Sequence, residues 1–236
     1  MTGRKAELAE NLREVEERIA AACRAAGRAR DEVKLIAITK TFPASDVALL
    51  AELGVTDVGE NRDQEAGPKA AEVPGLRWHM VGRLQRNKAR SVVGWADEVQ
   101  SVDSARLADA LAKAVHTVRY SGKREEPLDV LIQASLDDDP GRGGCPLAEL
   151  PALADHIAQA DELRLRGLMA VAPLDVDPAA AFERLARAGE SLRKDHPNAA
   201  EVSAGMSHDL EQAITHGSTC VRVGTALLGG RGLASP

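Results

Sequence analysis

Lys40 closes the stretch Val33-Lys34-Leu35-Ile36-Ala37-Ile38-Thr39-Lys40-Thr41, which is apolar and β-branched at Ile36, Ile38 and Thr39. Such a run reads as a buried strand. Side chains alternate along a strand, so Ile36, Ile38 and Lys40 share one face, while Leu35, Ala37 and Thr39 share the other. A strand-end lysine on the face of two core isoleucines is expected to be partly desolvated, which lowers an amine pKa and frees a nucleophile for Schiff-base chemistry. Taken alone, the stretch is read more simply with Lys40 marking where the strand meets water. Two later stretches bear on the choice: Gly205-Met206-Ser207 and Arg222-Val223-Gly224-Thr225. Arg222 alternates with Val221 and Val223, whose apolar faces suit an outer helix layer, so its guanidinium is expected to point inward. A salt bridge to Glu60 is the structural alternative for Arg222.

The elements that must carry these residues alternate regularly. An amphipathic helix spans about 4–26, with Leu8, Leu12, Val15, Ile19 and Ala22 at helical spacing and Gly27 as its C-terminal stop. After the strand at Val33, Pro43 and Ser45 introduce a helix that Gly54 closes. Further strands are expected at 56–61, 77–82, 98–102, 128–135, 165–171, 201–205 and 220–224. Helical patterns fall at about 63–72, 85–93, 105–118, 147–160, 178–195 and 209–216. Ser104 and Ser207 suit N-caps and Gly217 a C-cap, while Pro68 and Pro151 should shorten or kink their helices. Eight such units from Val33 to about Arg231 predict a single α/β domain over 1–236, a (β/α)8 TIM-type barrel with an extra N-terminal helix. A doubly wound open sheet is the alternative, but no strand-to-helix turn carries G-x-G-x-x-G or a P-loop.

Composition narrows the function classes. The 236 residues carry a net charge of −6, which argues against a dominant nucleic-acid role. Phe42, Trp78, Trp95, Tyr120 and Phe182 are the only aromatics, too few for a base-stacking platform. The three cysteines, Cys23, Cys145 and Cys220, lack metal-ligand or disulfide-framework spacing. No apolar run is long enough to cross a membrane, and the charged N-terminus is unlike a signal peptide, so the expectation is a cytoplasmic monomer without membrane contact.

In a (β/α)8 barrel, strand-end polar residues collect at the C-terminal mouth, and the turns after strands seven and eight form the recurrent phosphate site. Ser207, Gly224 and Thr225 fall there, Lys40 ends strand one, and Glu60 and Asn61 end strand two. His79 lies within strand three and is expected to be a hydrogen-bonded strand residue. Arg83, Gln85, Arg86, Asn87 and Lys88 follow it, most simply as a solvated helix start, with an anion contact as the alternative. An inward lysine, an inward arginine and a phosphate cradle suit an anionic, aldehyde-bearing ligand. Both pyridoxal 5′-phosphate (PLP) and the sugar phosphate of a Schiff-base aldolase meet that description.

Six motifs occur in order: Ile38-Thr39-Lys40-Thr41; Gly59-Glu60-Asn61; Trp78-His79-Met80-Val81-Gly82 with Leu84-Gln85 and Asn87-Lys88; Arg166-Gly167-Leu168-Met169; Gly205-Met206-Ser207; and Arg222-Val223-Gly224-Thr225. Together they closely resemble the pyridoxal phosphate homeostasis proteins (YggS/PROSC family), which look like the barrel domain of alanine racemase standing alone. The resemblance implies a Schiff base of PLP on Lys40, a phosphate held by Ser207, Gly224 and Thr225, Arg222 near the pyridine nitrogen, and Asn61 and Met206 lining the site. Two positions depart from the family pattern. Arg62 stands where many relatives carry tyrosine, and His208 where an acidic residue is common.

The resemblance leaves a choice between a PLP enzyme, such as an amino-acid racemase, and a PLP protein that buffers or delivers the cofactor. An arginine beside the pyridine nitrogen disfavours its protonation and weakens the electron sink that carbanion chemistry needs. A two-base racemase of this type also uses a tyrosine from a second domain. The only tyrosine here, Tyr120, is expected far from the mouth. The carrier reading follows, with apo PLP-dependent enzymes as recipients and amino acids at most as exchange ligands.

Overall fold

The computed structural model describes residues 3–137, 143–173 and 175–230. Eight parallel strands form its centre: β1 Lys34–Ile38, β2 Asp57–Glu60, β3 Arg77–Met80, β4 Glu98–Val102, β5 Leu128–Ser135, β6 Leu163–Met169, β7 Glu201–Ser203 and β8 Cys220–Val223. They pair in sequence order, β1 with β8 and β4 with β5, which closes the sheet into a TIM-type barrel. A two-residue pair at Cys145–Pro146 extends β5 outside the ring. The expected fold is therefore present; the strands at 98–102 and 128–135 have the expected bounds, and the other strand ends are at most three residues off.

Helices α1 Gly3–Ala25, α2 Ala44–Glu52, α3 Asp63–Glu72, α4 Ala89–Val92, α5 Ala105–Tyr120, α6 Leu150–Ala158, α7 Pro178–Asp195, α8 Leu210–Thr215 and α9 Thr225–Leu228 surround it. Apolar residues on the outward strand faces, among them Ala37, Val58, Val221 and Val223, bury against these helices. Several boundaries differ from expectation for local reasons. The helix expected over 85–93 divides into a 3-10 turn at Arg86–Lys88 and the short α4. As expected, the helix with Pro151 is shorter than its pattern: 147–149 form a 3-10 turn and α6 starts at Leu150, so Pro151 sits in the first turn, where its missing N–H costs nothing. Ser207 is not the N-cap of α8; Asp209 takes that place. A short α9 also follows the last strand, where no clear helix was expected.

The N-terminal helix braces the last two units. Leu8, Val15 and Ile19 are buried together with Leu210, Ile214, Leu227 and Leu228. Arg4 and Asn11 donate to the carbonyls of Leu228 and Leu227, each at 3.0 Å, and Arg18 donates to the Ser207 carbonyl at 2.9 Å. The first two satisfy carbonyls that α9 is too short to use, and the third holds the loop before α8.

The barrel interior is unusually polar. His79 is fully buried, with Nε2 2.8 Å from Asp57 Oδ1 and Nδ1 3.0 Å from Glu98 Oε1. Carboxylates only accept, so both ring nitrogens donate and the ring is an imidazolium. Arg77 also reaches Glu98 at 3.2 Å and Asp129 at 2.5 Å, which balances the acids. Burial opposes charge on His79, but its hydrogen bonds to Asp57 and Glu98 prevail and raise its pKa. Burial likewise pushes the Asp57 and Glu98 carboxyls up, yet the His79 contact wins and both lie below the usual range. A raised histidine pKa stabilises the fold below about pH 6.5, and that stability is lost as pH rises through the folded value. The lowered carboxyls stabilise it above about pH 4, a contribution lost as pH falls. Urea titrations across pH should therefore show stability falling on the alkaline side. His79→Gln should lower stability near neutrality by about 3–5 kcal/mol and flatten that alkaline fall, since two buried carboxylates lose their cation. An unchanged alkaline slope in the variant would contradict the imidazolium.

Candidate functional site

The expected site residues sit on the C-terminal ends of β1, β2, β7 and β8. Strand β1 stops at Ile38, and Thr39 turns its buried side chain outward. Its hydroxyl donates to Glu60 Oε1 at 2.7 Å, and Lys69 of α3 donates to the same oxygen at 2.8 Å and to the Thr39 carbonyl at 3.0 Å. The chain then folds back, with Thr41 at φ 68° and its N–H on Glu65 Oε2 at 3.3 Å. Lys40 rides the tip of this turn and is exposed. The expected strand-bound, partly desolvated lysine is thus corrected. The Thr39–Glu60–Lys69 cluster ends the strand early and presents the amine to solvent on a braced turn.

The same cluster removes Glu60 from Arg222. Glu60 faces α3, whereas Arg222 points into the barrel as expected and is 5% exposed. Arg222 Nη1 donates to Ser203 Oγ at 2.6 Å and Nη2 to the Ala170 carbonyl at 2.8 Å. Ser203 donates onward to Gln100 Oε1 at 2.7 Å, and Gln100 Nε2 to Glu98 Oε1 at 2.8 Å, where His79 also donates. Hydrogen bonds thus link Arg222 to Asp57: the donors run from Arg222 to Glu98, and His79 donates to both Glu98 and Asp57. Burial lowers the Arg222 pKa, but guanidinium starts so high that it stays charged. Cys220, on the same inward face, is pushed up by burial to about 12 and stays a thiol.

The two expected phosphate turns lie side by side. Ser207 Oγ accepts from the Ala226 N–H of the neighbouring turn at 3.4 Å. Asp209 Oδ1 accepts from the Met206 N–H at 2.6 Å, which sets the loop that carries Met206 and Ser207. A Cβ at Gly224 would stand 3.3 Å from the Ile38 Cβ, so any larger residue would have to push this turn a few tenths of an ångström from β1. The β1–β8 register sets Ile36 opposite Arg222 and Ala37 opposite Val223, which brings the Lys40 turn beside Gly224 and Thr225. Asn61 and Met206 are half-buried on the neighbouring turns. Gly82 sits tight on Asn61: a Cβ there would lie 2.4 Å from the Asn61 carbonyl oxygen. Arg62 is exposed and pairs with Glu65 at 3.2 Å, and exposed His208 lies 3.5 Å from the Asp209 carboxylate.

The sequence reading missed Ser203, Gln100, Asp209 and Arg18 as supports of this site. Glu98 and Gln100 carried a signal, since two polar residues two apart in a buried strand must share the interior face. The others act from separate elements and left no local trace. Ser203→Ala should leave a buried guanidinium short of an acceptor and cost about 1–3 kcal/mol in urea unfolding. A change within about 0.5 kcal/mol, the range of ordinary surface substitutions, would contradict the role given to Ser203.

Comparison with known proteins places this geometry among relatives. Residues 6–232 match the family described as "Alanine racemase, N-terminal domain". The pyridoxal phosphate homeostasis protein of Mycobacterium tuberculosis is 49% identical over 249 aligned residues, covering 99% of this chain and 96% of the relative. PipY of Synechococcus elongatus, solved with PLP bound, superposes with a TM-score of 0.81 at 33% identity, covering 94% of this chain and all of PipY. Alanine racemase from Corynebacterium glutamicum shares the fold alone, at 16% identity and TM-score 0.68, with 98% of this chain covering 64% of the racemase. The chain belongs to the pyridoxal phosphate homeostasis protein family, built on the alanine racemase N-terminal domain.

Proposed function

We propose that this protein binds PLP at Lys40 and serves in its homeostasis, buffering and delivering the cofactor with little or no amino-acid turnover. The observation that carries the reading is Arg222, a buried group that can only donate, set on β8 beside the turn that bears an exposed amine. The donor set fits PLP, which brings an aldehyde, a phosphate dianion and a ring nitrogen that can accept. Lys40 Nζ supplies the amine. Ser207 and Thr225 supply hydroxyls and Gly224 close backbone approach for the phosphate, while Asn61 and Met206 flank the ring. The names and contents of the relatives agree: the mycobacterial relative is named for PLP homeostasis and PipY was solved with PLP.

Arg222 also argues against turnover. Beside the ring nitrogen, where we place it, this donor would keep that nitrogen unprotonated, and Ser203 and Ala170 anchor the guanidinium. A second acid or base of the racemase kind is not supplied by Tyr120, which is 92% exposed at the C-terminal end of α5. That end leads into the start of β5, opposite the mouth. Amino acids are then exchange ligands at most, and apo PLP-dependent enzymes are the recipients. Among the described residues no helix is long and apolar enough to cross a membrane. We take the place of action to be the cytoplasm. We take the working form to be the monomer.

Incubating PLP-loaded protein with L- and D-alanine in deuterated water tests the reading. The expected outcome is a bound-cofactor spectrum that Lys40→Ala abolishes, with α-proton exchange and racemisation negligible by NMR. Exchange near the common enzyme range of about 1–10³ s⁻¹ would establish the racemase-like alternative.

A further inference from the structure

The basic run after β3 has no part in the site above, yet it shapes a wide cleft. This cleft, about 1130 Å³, opens between the turns that follow β2, β3 and β4 and borders the PLP site at Asn61, which lines both. Arg62, Arg83, Arg86, Lys88 and Arg106 line it, against only two carboxylates, Asp63 and Asp103. Both acids already have partners: Asp63 accepts from Trp95 Nε1 at 3.0 Å, and Asp103 from Ser104 Oγ at 3.0 Å. Lys88 stands 4.0 Å from Asp63, and Arg62 is paired with Glu65. Among the described residues Arg83, Arg86 and Arg106 form no ion pair and are exposed.

Fold stability does not account for this grouping. Arg106 lies in the first turn of α5, where a cation opposes the helix dipole and no acidic residue offsets it. The whole chain is acidic, with a net charge of −6. Three unpaired guanidiniums facing one cavity repel one another and are each shaped to take phosphate oxygens in pairs. The excess of three positive charges surpasses what a single phosphate monoester neutralises and suits a diphosphate. Side-chain amides of Gln64, Gln85 and Asn87 edge the same cleft and make no hydrogen bond among the described residues, so they can address the edge of a heterocycle. Met80, Leu84 and Leu107, buried in the core beneath the cleft, give it a fixed base.

We propose that this cleft is a second ligand site, for a nucleoside di- or triphosphate, with the arginines on the phosphates and the amides on the base. It goes beyond the PLP reading and does not depend on it. Isothermal titration of the purified protein with ADP, pyrophosphate and adenosine, each with and without saturating PLP, tests it. The expected result is saturable ADP binding at least tenfold tighter than adenosine, with pyrophosphate competing and PLP changing the ADP affinity less than threefold. Arg86→Gln with Arg106→Gln should weaken ADP at least tenfold; both side chains are exposed, so the unfolding midpoint should hold and report an intact barrel. ADP binding no tighter than adenosine, its displacement by PLP, or full affinity in the folded double variant would overturn the proposal. So would saturable binding of a polyglutamate peptide in the absence of ADP binding, which would assign the cleft to an acidic protein surface. Because the ADP arm is also run without PLP, failure of PLP to bind leaves it readable.

Discussion

A guanidinium inside a barrel must be hydrogen-bonded or it cannot stay there, and this constraint at Arg222 shapes the interior. An unpaired buried charge costs several kcal/mol, so each inward neighbour has to accept or relay. Ser203 and the Ala170 carbonyl take the Arg222 donors, Gln100 takes the Ser203 proton, and Glu98 takes those of Gln100 and His79. The line ends on Asp57, itself held by His79 and Thr56. Apolar packing is left mainly to the outer layer. The inward faces of β1 and β8 contribute only the small cluster of Ile36, Ile38 and Cys220. The polar interior therefore fixes the Arg222 guanidinium in place beneath the mouth.

The mouth is held from outside by different means. Lys69 and Glu65 of α3 fasten the turn that carries Lys40, and Arg18 of α1 fastens the loop that carries Ser207. An extra N-terminal helix is thus part of the site's support, since α8 and α9 are too short to brace their own loops. Exposure of Lys40 agrees with a carrier. A cofactor attached at the rim through a solvent-facing amine can be reached by an incoming amine or water, whereas an enzyme that stabilises a carbanion gains from a closed, dry site.

The alternation of strands and helices was legible because apolar runs, glycine stops and proline starts repeat along the chain, and it led directly to the barrel. Inward orientation of Arg222 was legible too, because Val221 and Val223 take the outward face. What the pattern could not carry was the end of β1. Period-two alternation continues through Thr39 and Lys40, but the Glu60–Lys69 pair, 21 and 29 residues beyond Thr39 and Lys40, captures Thr39 and turns the chain. Ser207 read as a helix cap for a similar reason: the true cap, Asp209, is set by a bond back to Met206 that local spacing does not reveal. Long-range partners, rather than propensity, decided both places.

The most direct test of the account is to load the protein with PLP, reduce it with borohydride, digest it and map the modified lysine by mass spectrometry. The account predicts one adduct, on Lys40, the exposed amine beside Gly224 and Thr225. An adduct on Lys69, Lys88 or another lysine, with Lys40 recovered unmodified, would contradict it.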